Sequence, residues 1–347
     1  MKAAAFAVPG DLATPTGGYA YDRRMITELA ALGWRIDTVA LGDGFPFPTD
    51  DVRAAACARL TALPRRHPIV IDGLAFGALP EAGEALRASH MLIALVHHPL
   101  ALETGLSASD CARLRASERT ALGSARHVIA TSKTTARLLA ADYGVASDRM
   151  SVVEPGTDRA APRPRIGTAE VALLAVGAVV PRKGYDVLVA ALARLKDLSW
   201  RLTIAGDRGR SLQTAQRLEM DIERRGLADR IKLLGAVSSE ELGSLYAGCD
   251  LFVLPSRFEG YGMAYAEAIA HGLPVVGTTA GAIPETVPNK AAVLLPPDDI
   301  EVLAAALRRL IASPAERERL AAAARAVTFP SWCVQAERFA RVLESLT

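Results

Sequence analysis

The chain has 347 residues, of which half are hydrophobic and few are aromatic, so two α/β domains can each bury a full core. The net charge of +2 argues against the dense basic face of a nucleic-acid-binding protein, although one basic pocket for an acidic substrate remains possible. The four cysteines are far apart and form no CxxC pair, which argues against a zinc site or a disulfide framework.

Short apolar runs alternate with amphipathic stretches of helical period in the first half of the chain. Strands are predicted at 2–8, 35–41, 68–72, 91–96, 127–130 and 151–153. Helices are predicted at 18–32, 50–62, 80–88, 108–123 and 132–141. Ser132 is the predicted N-cap of the last of these helices.

The segment 161–165 interrupts this alternation with prolines and arginines, and it is predicted to be a linker. The alternation then restarts. Strands are predicted at 171–177, 201–205, 231–234, 250–254, 274–277 and 292–295. Helices are predicted at 184–195, 210–225, 239–247, 262–271, 298–312 and 315–326. A last helix is expected after the break at Pro330-Ser331, and it can pack back against the first domain.

Strand–helix alternation in both halves predicts two Rossmann-like, doubly wound parallel sheets covered by helices. The predicted boundaries are 1–162 for the N-terminal domain, 163–328 for the C-terminal domain and 329–347 for the returning helix. Ligands of such sheets bind beyond the carboxyl ends of the strands, so two domains facing each other would enclose a binding cleft.

The most informative stretch is 257–270, which follows an apolar strand. Gly260 and Gly262 allow a tight turn and a close approach of the backbone to a ligand. The first amides of the helix that begins near Gly262 lack helical partners and carry partial positive charge, which suits a diphosphate. Glu259 lies at the mouth of this loop, and Glu267 lies about one turn into the helix, where it can meet ribose hydroxyls.

The basic turn Arg182-Lys183 also follows a predicted strand and precedes a predicted helix. Two cations there can neutralise the charge that grows on a leaving diphosphate. Gly17-Gly18 lies at the first strand–helix junction, although the chain contains no GxGxxG motif. Of the adjacent pair His97-His98, one side chain can face a ligand while the other packs inward, so the pair is a poor metal site.

Together these residues resemble the retaining glycosyltransferases of family 4, which share the GT-B fold. The resemblance covers nearly the whole chain, and its strongest part is the Glu-x7-Glu spacing of Glu259 and Glu267 around a Gly-x-Gly turn. The Pro255-Ser256 turn, the loop 281–285 and the turn 155–158 add to it.

The resemblance implies roles for these residues. Glu267 would bind the ribose of the donor nucleotide, Glu259 the donor sugar, and Lys183 the diphosphate. His98, or with less support His97, would lie near the sugar or the acceptor. Many family members carry an arginine where this chain has Ala178, and Arg182 can supply that charge. The expected catalytic residues are Glu259, Lys183, Arg182 and His98, and the expected donor-binding residues are Gly17, Gly18, Gly260, Tyr261, Gly262, Met263, Glu267, Gly281 and Ala282.

The sequence thus predicts a retaining transferase with an acceptor-side N-terminal domain and a C-terminal domain that binds a nucleotide-diphosphate sugar of UDP or GDP type. No Asp-x-Asp pair or metal-ligand cluster is visible, so neither a metal nor a cofactor is expected. The expected acceptor is a small molecule, a glycan or a lipid-linked group, without nucleic acid. A nucleotide-sugar epimerase and a non-catalytic nucleotide-sugar binder remain alternatives.

The expected location is the cytoplasm. The first apolar stretch is too short for a signal peptide, no apolar run of 18 residues occurs, and the separated cysteines suit a reducing compartment. Peripheral contact with a membrane surface stays open.

Overall fold

A computed structural model describes residues 2–160 and 170–347, which divide into two compact units. The N-terminal unit contains the residues up to Gly156 together with Pro330–Thr347, and the C-terminal unit is Thr157–Phe329. The predicted linker at 161–165 and the predicted domain boundary at 162 lie outside the described residues.

The N-terminal unit is built on a six-stranded parallel sheet in the order β2-β1-β3-β4-β5-β6. Its strands are β1 (Ala3–Val8), β2 (Arg35–Ala40), β3 (Pro68–Asp72), β4 (Met91–Val96), β5 (His127–Ala130) and β6 (Met150–Val152). Its helices are α1 (Gly17–Ala31), α2 (Asp50–Thr61), α3 (Gly73–Phe76), α4 (Pro80–Leu86), α5 (Ala108–Ser124) and α6 (Lys133–Tyr143), and the C-terminal α14 (Trp332–Leu346) completes the unit.

The C-terminal unit repeats this architecture with a six-stranded parallel sheet in the order β12-β11-β10-β7-β8-β9. Its strands are β7 (Val171–Val176), β8 (Trp200–Ala205), β9 (Ile231–Gly235), β10 (Leu251–Val253), β11 (Val275–Thr278) and β12 (Ala292–Leu295). Its helices are α7 (Tyr185–Leu192), α8 (Leu212–Arg224), α9 (Ser239–Gly248), α10 (Met263–Ala270), α11 (Ile283–Thr286), α12 (Ile300–Ala312) and α13 (Pro314–Arg325).

The two parallel sheets confirm the predicted fold class. Helices cover both faces of the sheets, so β3, β5 and β10 are buried at every residue and are apolar except for Asp72 at the end of β3 and His127 at the start of β5. Ser132 is confirmed as the N-cap of α6, since its hydroxyl accepts the amide of Thr135 at 2.9 Å.

The order of the strands places a topological switch point in each sheet. In the N-terminal unit the loops after β1 and β3 leave in opposite directions, and in the C-terminal unit the same holds for the loops after β7 and β10. Crevices at such points are where open α/β sheets bind ligands. Gly17 and Gly18 begin α1 directly after the first of these loops, and Lys183 and Glu259 lie in the loops after β7 and β10.

Short elements were not predicted. The four-residue helices α3 and α11, and the 3-10 turns 100–102, 147–149 and 181–183, are too short to show a helical period. Predicted element ends differ from the observed ones by a few residues; for example, α7 ends at Leu192 rather than at Leu195. Among the described residues, no helix combines the length and the hydropathy that crossing a bilayer requires.

Candidate functional site

The switch point of the C-terminal unit brings the predicted cations and the first predicted carboxylate together. Lys183 ends the 3-10 turn that follows β7, and Glu259 lies in the loop that follows β10. The Nζ atom of Lys183 lies 2.6 Å from Oε1 of Glu259, and Nη1 of Arg182 lies 3.0 Å from Oε2. The cations and Glu259, far apart in the chain, therefore form one charged cluster.

Glu259 is only 6% exposed, and both of its carboxylate oxygens are engaged. The hydroxyl of Ser256 donates to Oε1 at 2.7 Å, beside the ammonium group of Lys183. Burial alone would raise the pKa of Glu259, but the charges of Lys183 and Arg182 outweigh it and lower the pKa to about 2. Glu259 is thus ionised at neutral pH, which suits an acceptor of hydrogen bonds and not a proton donor.

Arg182 crosses from its own turn to the loop after β10. Its guanidinium group also donates to the carbonyl of Phe258 at 2.8 Å, and its carbonyl accepts the amide of Arg257 at 2.7 Å. In this cluster the two cations of Arg182 and Lys183 face the one carboxylate of Glu259. That Arg182 supplies the charge missing at Ala178 stays a prediction.

Two glycines beside the cluster are required by the close approach of other atoms. Gly177 has φ +149°, and a Cβ atom there would lie 2.7 Å from Cε of Lys183. Gly281 has φ +57°, and a Cβ atom there would lie 2.4 Å from the carbonyl oxygen of Glu259. These glycines let the stem of Lys183 and the backbone of Glu259 occupy their positions.

The loop of Gly281 and Ala282 lies against the loop of Glu259. The amide of Ala282 donates to the carbonyl of Glu259 at 2.9 Å, and Ala282 is fully buried, while the contacts of Gly281 and Ala282 to a donor stay predictions. Gly281 and Ala282 thus hold the loop of Glu259 from behind. The sequence placed them near the site but did not show that a neighbouring backbone uses the amide of Ala282.

The second predicted carboxylate, Glu267, lies on α10. This helix begins after Gly262, whose backbone has the left-handed conformation with φ 96°. The hydroxyl of Tyr246 donates to Oε2 of Glu267 at 2.8 Å, and the ring of Tyr246 stacks on His271 with centroids 5.0 Å apart. Burial raises the pKa of Glu267 to about 7, with Tyr246 opposing the shift and the charge of Asp158 adding to it. The predicted contacts of Gly260, Tyr261, Gly262 and Met263 to a diphosphate remain predictions.

Sequence reasoning assigned no structural role to three residues that hold this site. Ser256 and Tyr246 bond directly to Glu259 and Glu267. Arg257 forms a bidentate pair with Asp186, at 3.0 and 2.8 Å, and also binds Asp298 at 2.7 Å. The residue types Ser, Tyr and Arg do not by themselves indicate a contact with the site. Only the position of Ser256, three residues before Glu259, is compatible with a local contact.

In the N-terminal unit, α1 begins at Gly17, and the hydroxyl of Thr16 accepts the amide of Tyr19 at 3.2 Å as the N-cap. A Cβ atom on Gly18 would lie 3.1 Å from Cδ2 of His97, so the imidazole ring packs closely behind this glycine. The Nε2 atom of His98 lies 3.5 Å from the carboxylate of Glu103, and the His98 side chain is 25% exposed.

His97 faces inward and meets two buried carboxylates, Asp22 of α1 and Asp72 at the end of β3. Burial alone would lower the pKa of His97, but Asp22 and Asp72 outweigh it and raise the pKa to about 10. Burial raises the pKa of Asp22 to about 7. This cluster was not expected from the sequence, because its members lie far apart in the chain and belong to different elements.

Family models match most of the chain. The model described as glycosyl transferases group 1 matches residues 158–327, and that of glycosyltransferase family 4 matches residues 20–161. Together with the two Rossmann-like sheets, these matches place the protein among the glycosyltransferases. The chain belongs to glycosyltransferase family 4 and has the GT-B fold.

Two curated relatives illustrate the match. The chain is 32% identical over 216 residues to the MMP alpha-(1->4)-mannosyltransferase of Mycolicibacterium hassiacum, covering 59% of this chain and 50% of that protein. It is 34% identical over 226 residues to the D-inositol 3-phosphate glycosyltransferase of Geodermatophilus obscurus, covering 60% and 50%. The chain thus spans about half the length of the curated relatives that it matches.

Solved structures share the fold over nearly the full length. Sucrose-phosphate synthase from Thermosynechococcus elongatus has a TM-score of 0.84 at 21% identity, covering 99% of both chains. HepE of Anabaena in complex with UDP-glucose has a TM-score of 0.78 at 19% identity, covering 98% of this chain and 99% of that one.

Proposed function

We propose that the protein is a retaining glycosyltransferase that moves a sugar from a nucleotide-diphosphate sugar to an acceptor, with no metal at the diphosphate. The observation that carries this proposal is the cluster of Glu259 with Lys183 and Arg182 at the switch point of the C-terminal unit. The two basic side chains lie at the place where an anionic donor would bind at the switch point of the sheet.

The cluster supports bond cleavage at the anomeric carbon. As that C–O bond breaks, the diphosphate gains negative charge, and fixed cations at Lys183 and Arg182 stabilise this state more than the ground state. Glu259 accepts hydrogen bonds from sugar hydroxyls, and Glu267 accepts them from the ribose. The acceptor oxygen attacks from the face that the diphosphate leaves, and the departing phosphate oxygen takes the proton of the acceptor.

The names of the relatives suggest where to look for substrates. One relative from Corynebacterium glutamicum is described as GDP-mannose-dependent, and others act on D-inositol 3-phosphate. We therefore propose GDP-mannose as the first donor to test, with UDP-sugars next. An inositol phosphate or a lipid-linked form of it is the first acceptor, and a lipid-linked acceptor implies peripheral contact with a membrane in the cytoplasm.

An epimerase would need a group that moves protons on the sugar ring. Glu259 is a poor base because its pKa is lowered to about 2. A non-catalytic binder would have no need for two cations that neutralise the charge of a leaving group. Incubation of the donor with the protein and no acceptor distinguishes an epimerase from a transferase, since an epimerase would convert the sugar without an acceptor.

The first experiment is a thermal-shift screen of UDP, GDP, ADP and TDP against the purified chain, with and without Mg²⁺. One base is expected to stabilise the protein equally in both conditions. The matching sugar nucleotide is then incubated with inositol phosphate, and the anomeric configuration of the product is read by NMR. No stabilisation by any nucleoside diphosphate, together with no acceptor-dependent product, would refute the proposal.

A further inference from the structure

The N-terminal unit contains a cluster that the proposed chemistry does not use, formed by Asp22, Asp72 and His97. Asp22 lies on α1, Asp72 is the last residue of β3, and His97 follows the last residue of the neighbouring β4. All three lie at the switch point of this sheet, behind the Gly17-Gly18 turn.

The distances in the Asp22–Asp72–His97 cluster suit ligands around an ion. Nε2 of His97 lies 3.2 Å from Oδ1 of Asp22 and 3.5 Å from Oδ2 of Asp72, and one ligand atom from each residue lies within 4.8 Å of the others. Charge-assisted N–H···O bonds are shorter, about 2.7–2.9 Å, and one ring nitrogen has one proton for two carboxylates. Tetrahedral ligands at ~2.1 Å from a metal are about 3.4 Å apart.

The burial and charge of the cluster also favour a cation. Asp22 is fully buried and Asp72 is 4% exposed, while Oδ2 of Asp22 has no hydrogen-bond partner among the described residues. Within residues 2–160 and 170–347, the carboxylates of Asp22 and Asp72 pair with His97 and with no lysine or arginine. A buried carboxylate oxygen without a partner is costly. One divalent ion would displace the proton of His97, neutralise both carboxylates and give Oδ2 of Asp22 a partner.

The surroundings fix the ligands and leave access. Oδ1 of Asp72 accepts the amide of Leu74 at 2.7 Å, which turns Oδ2 towards His97. The hydroxyl of Thr131 donates to the carbonyl of His97 at 3.2 Å and holds that backbone. The His97 side chain is 18% exposed, so an ion can enter beside it.

We propose that Asp22, Asp72 and His97 bind one divalent transition-metal ion of the Zn²⁺ class in the N-terminal unit. Three protein ligands leave a fourth position for water or for a substrate oxygen. The ion would join α1, β3 and β4 beneath the Gly17-Gly18 turn. It is separate from the neutralisation of the diphosphate, which the proposed function assigns to residues of the C-terminal unit.

The test uses the full chain after treatment with a chelator, with Zn²⁺ as the probe. Zn²⁺ is added, the protein is desalted, and the retained metal is measured by mass spectrometry alongside the thermal midpoint. The variants are Asp72→Asn and Asp22→Asn; asparagine can still accept the Leu74 amide, so the cap of α3 is retained. The control is His127→Gln, because His127 is a buried histidine bonded to Ser151 at 2.9 Å outside the cluster.

The expected result is one retained Zn²⁺ per chain and a raised thermal midpoint in the wild type and in His127→Gln. Both aspartate variants should bind at least 100-fold more weakly while remaining folded by circular dichroism. The proposal is overturned if the wild type retains no more Zn²⁺ than Asp72→Asn. It is also overturned if both aspartate variants retain as much as the wild type, since the ion would then bind elsewhere.

Discussion

Lys183 joins the turn after β7 to Glu259 through a contact of 2.6 Å, and its side chain is only 12% exposed. Truncation to alanine removes a preorganised donor whose charge matters most when the diphosphate leaves. We expect Lys183→Ala to lower kcat by roughly 10²–10³, or about 3–4 kcal/mol, with a smaller effect on donor affinity. Steady-state rates at saturating donor measure this loss.

The control for this change is Lys232→Ala, which removes an exposed lysine on β9 far along the chain from the charged cluster. Wild-type turnover is expected for that control. Turnover of Lys183→Ala equal to the control would remove Lys183 from the chemistry.

As the proposed partner of the ribose, Glu267 is expected to make donor affinity depend on pH, because burial raises its pKa to about 7. Only the ionised carboxylate can accept both ribose hydroxyls, so protonation weakens binding as the pH falls through 7. From pH 8 to pH 6 we expect the affinity for the nucleoside diphosphate to fall about tenfold, as one linked proton requires. Calorimetry at several pH values measures the change.

Glu267→Gln provides the reference, because its neutral amide does not titrate and it isolates the contribution of the carboxylate from that of the ligand's own phosphates. This variant should bind weakly at every pH, with only the dependence due to the ligand. Parallel pH profiles of the wild type and the variant would contradict the role of Glu267.

At the scale of elements, the loops after β7 and β10 are held together by reciprocal contacts. Arg257 donates to the carbonyl of Pro181 and to Asp186, while Arg182 donates to the loop that contains Arg257. Loss of this connection would let Lys183 and Glu259 drift apart, and a displacement of about 1 Å can cost as much as 10² in rate. We expect Arg257→Gln to lower kcat/KM by about 10–100-fold.

Arg308 offers a control, since it forms a similar bidentate pair with Asp197, at 2.6 and 2.8 Å. Its 47% exposed side chain contributes about 0.2–1 kcal/mol through this pair, so a small change in Tm is expected. Arg257 is 23% exposed and also binds Asp298 and the carbonyl of Pro181, so Arg257→Gln should lower Tm somewhat more. Equal activities of the two variants would show that the contacts of Arg257 do not align the site.

The positions of the site-bearing strands and loops can be predicted from the sequence, but contacts between loops cannot. Strands β7 and β10 are apolar runs followed by glycine-containing turns, so their positions and the loops with Lys183 and Glu259 follow from local pattern. The amide of Ala282 could not be assigned in this way, because its partner is a carbonyl in another loop. The cluster of Asp22, Asp72 and His97 was equally hidden, since strand order brings its members together.

At the scale of the whole molecule, the chain leaves the N-terminal unit and returns to it with α14. Trp332 is 4% exposed and lies edge-on to Tyr21, with ring centroids 5.7 Å apart. Gly156 allows this contact, since a Cβ atom there would lie 2.4 Å from Cα of Trp332. Further along α14, Phe339 packs on Phe6 of β1. The last residues of the chain therefore complete the core of its first unit.

Trp332→Ala should accordingly destabilise the N-terminal unit by about 3–5 kcal/mol, the usual range for a buried aromatic residue that is truncated. Hydrogen-exchange mass spectrometry should show faster exchange in β1 and α1, with β7 and β10 unchanged. Val334→Ala is the control on the same helix, because that side chain is 40% exposed and its removal should leave exchange unaltered. Equal acceleration in both units would mean that Trp332 stabilises the whole chain and not the N-terminal unit alone.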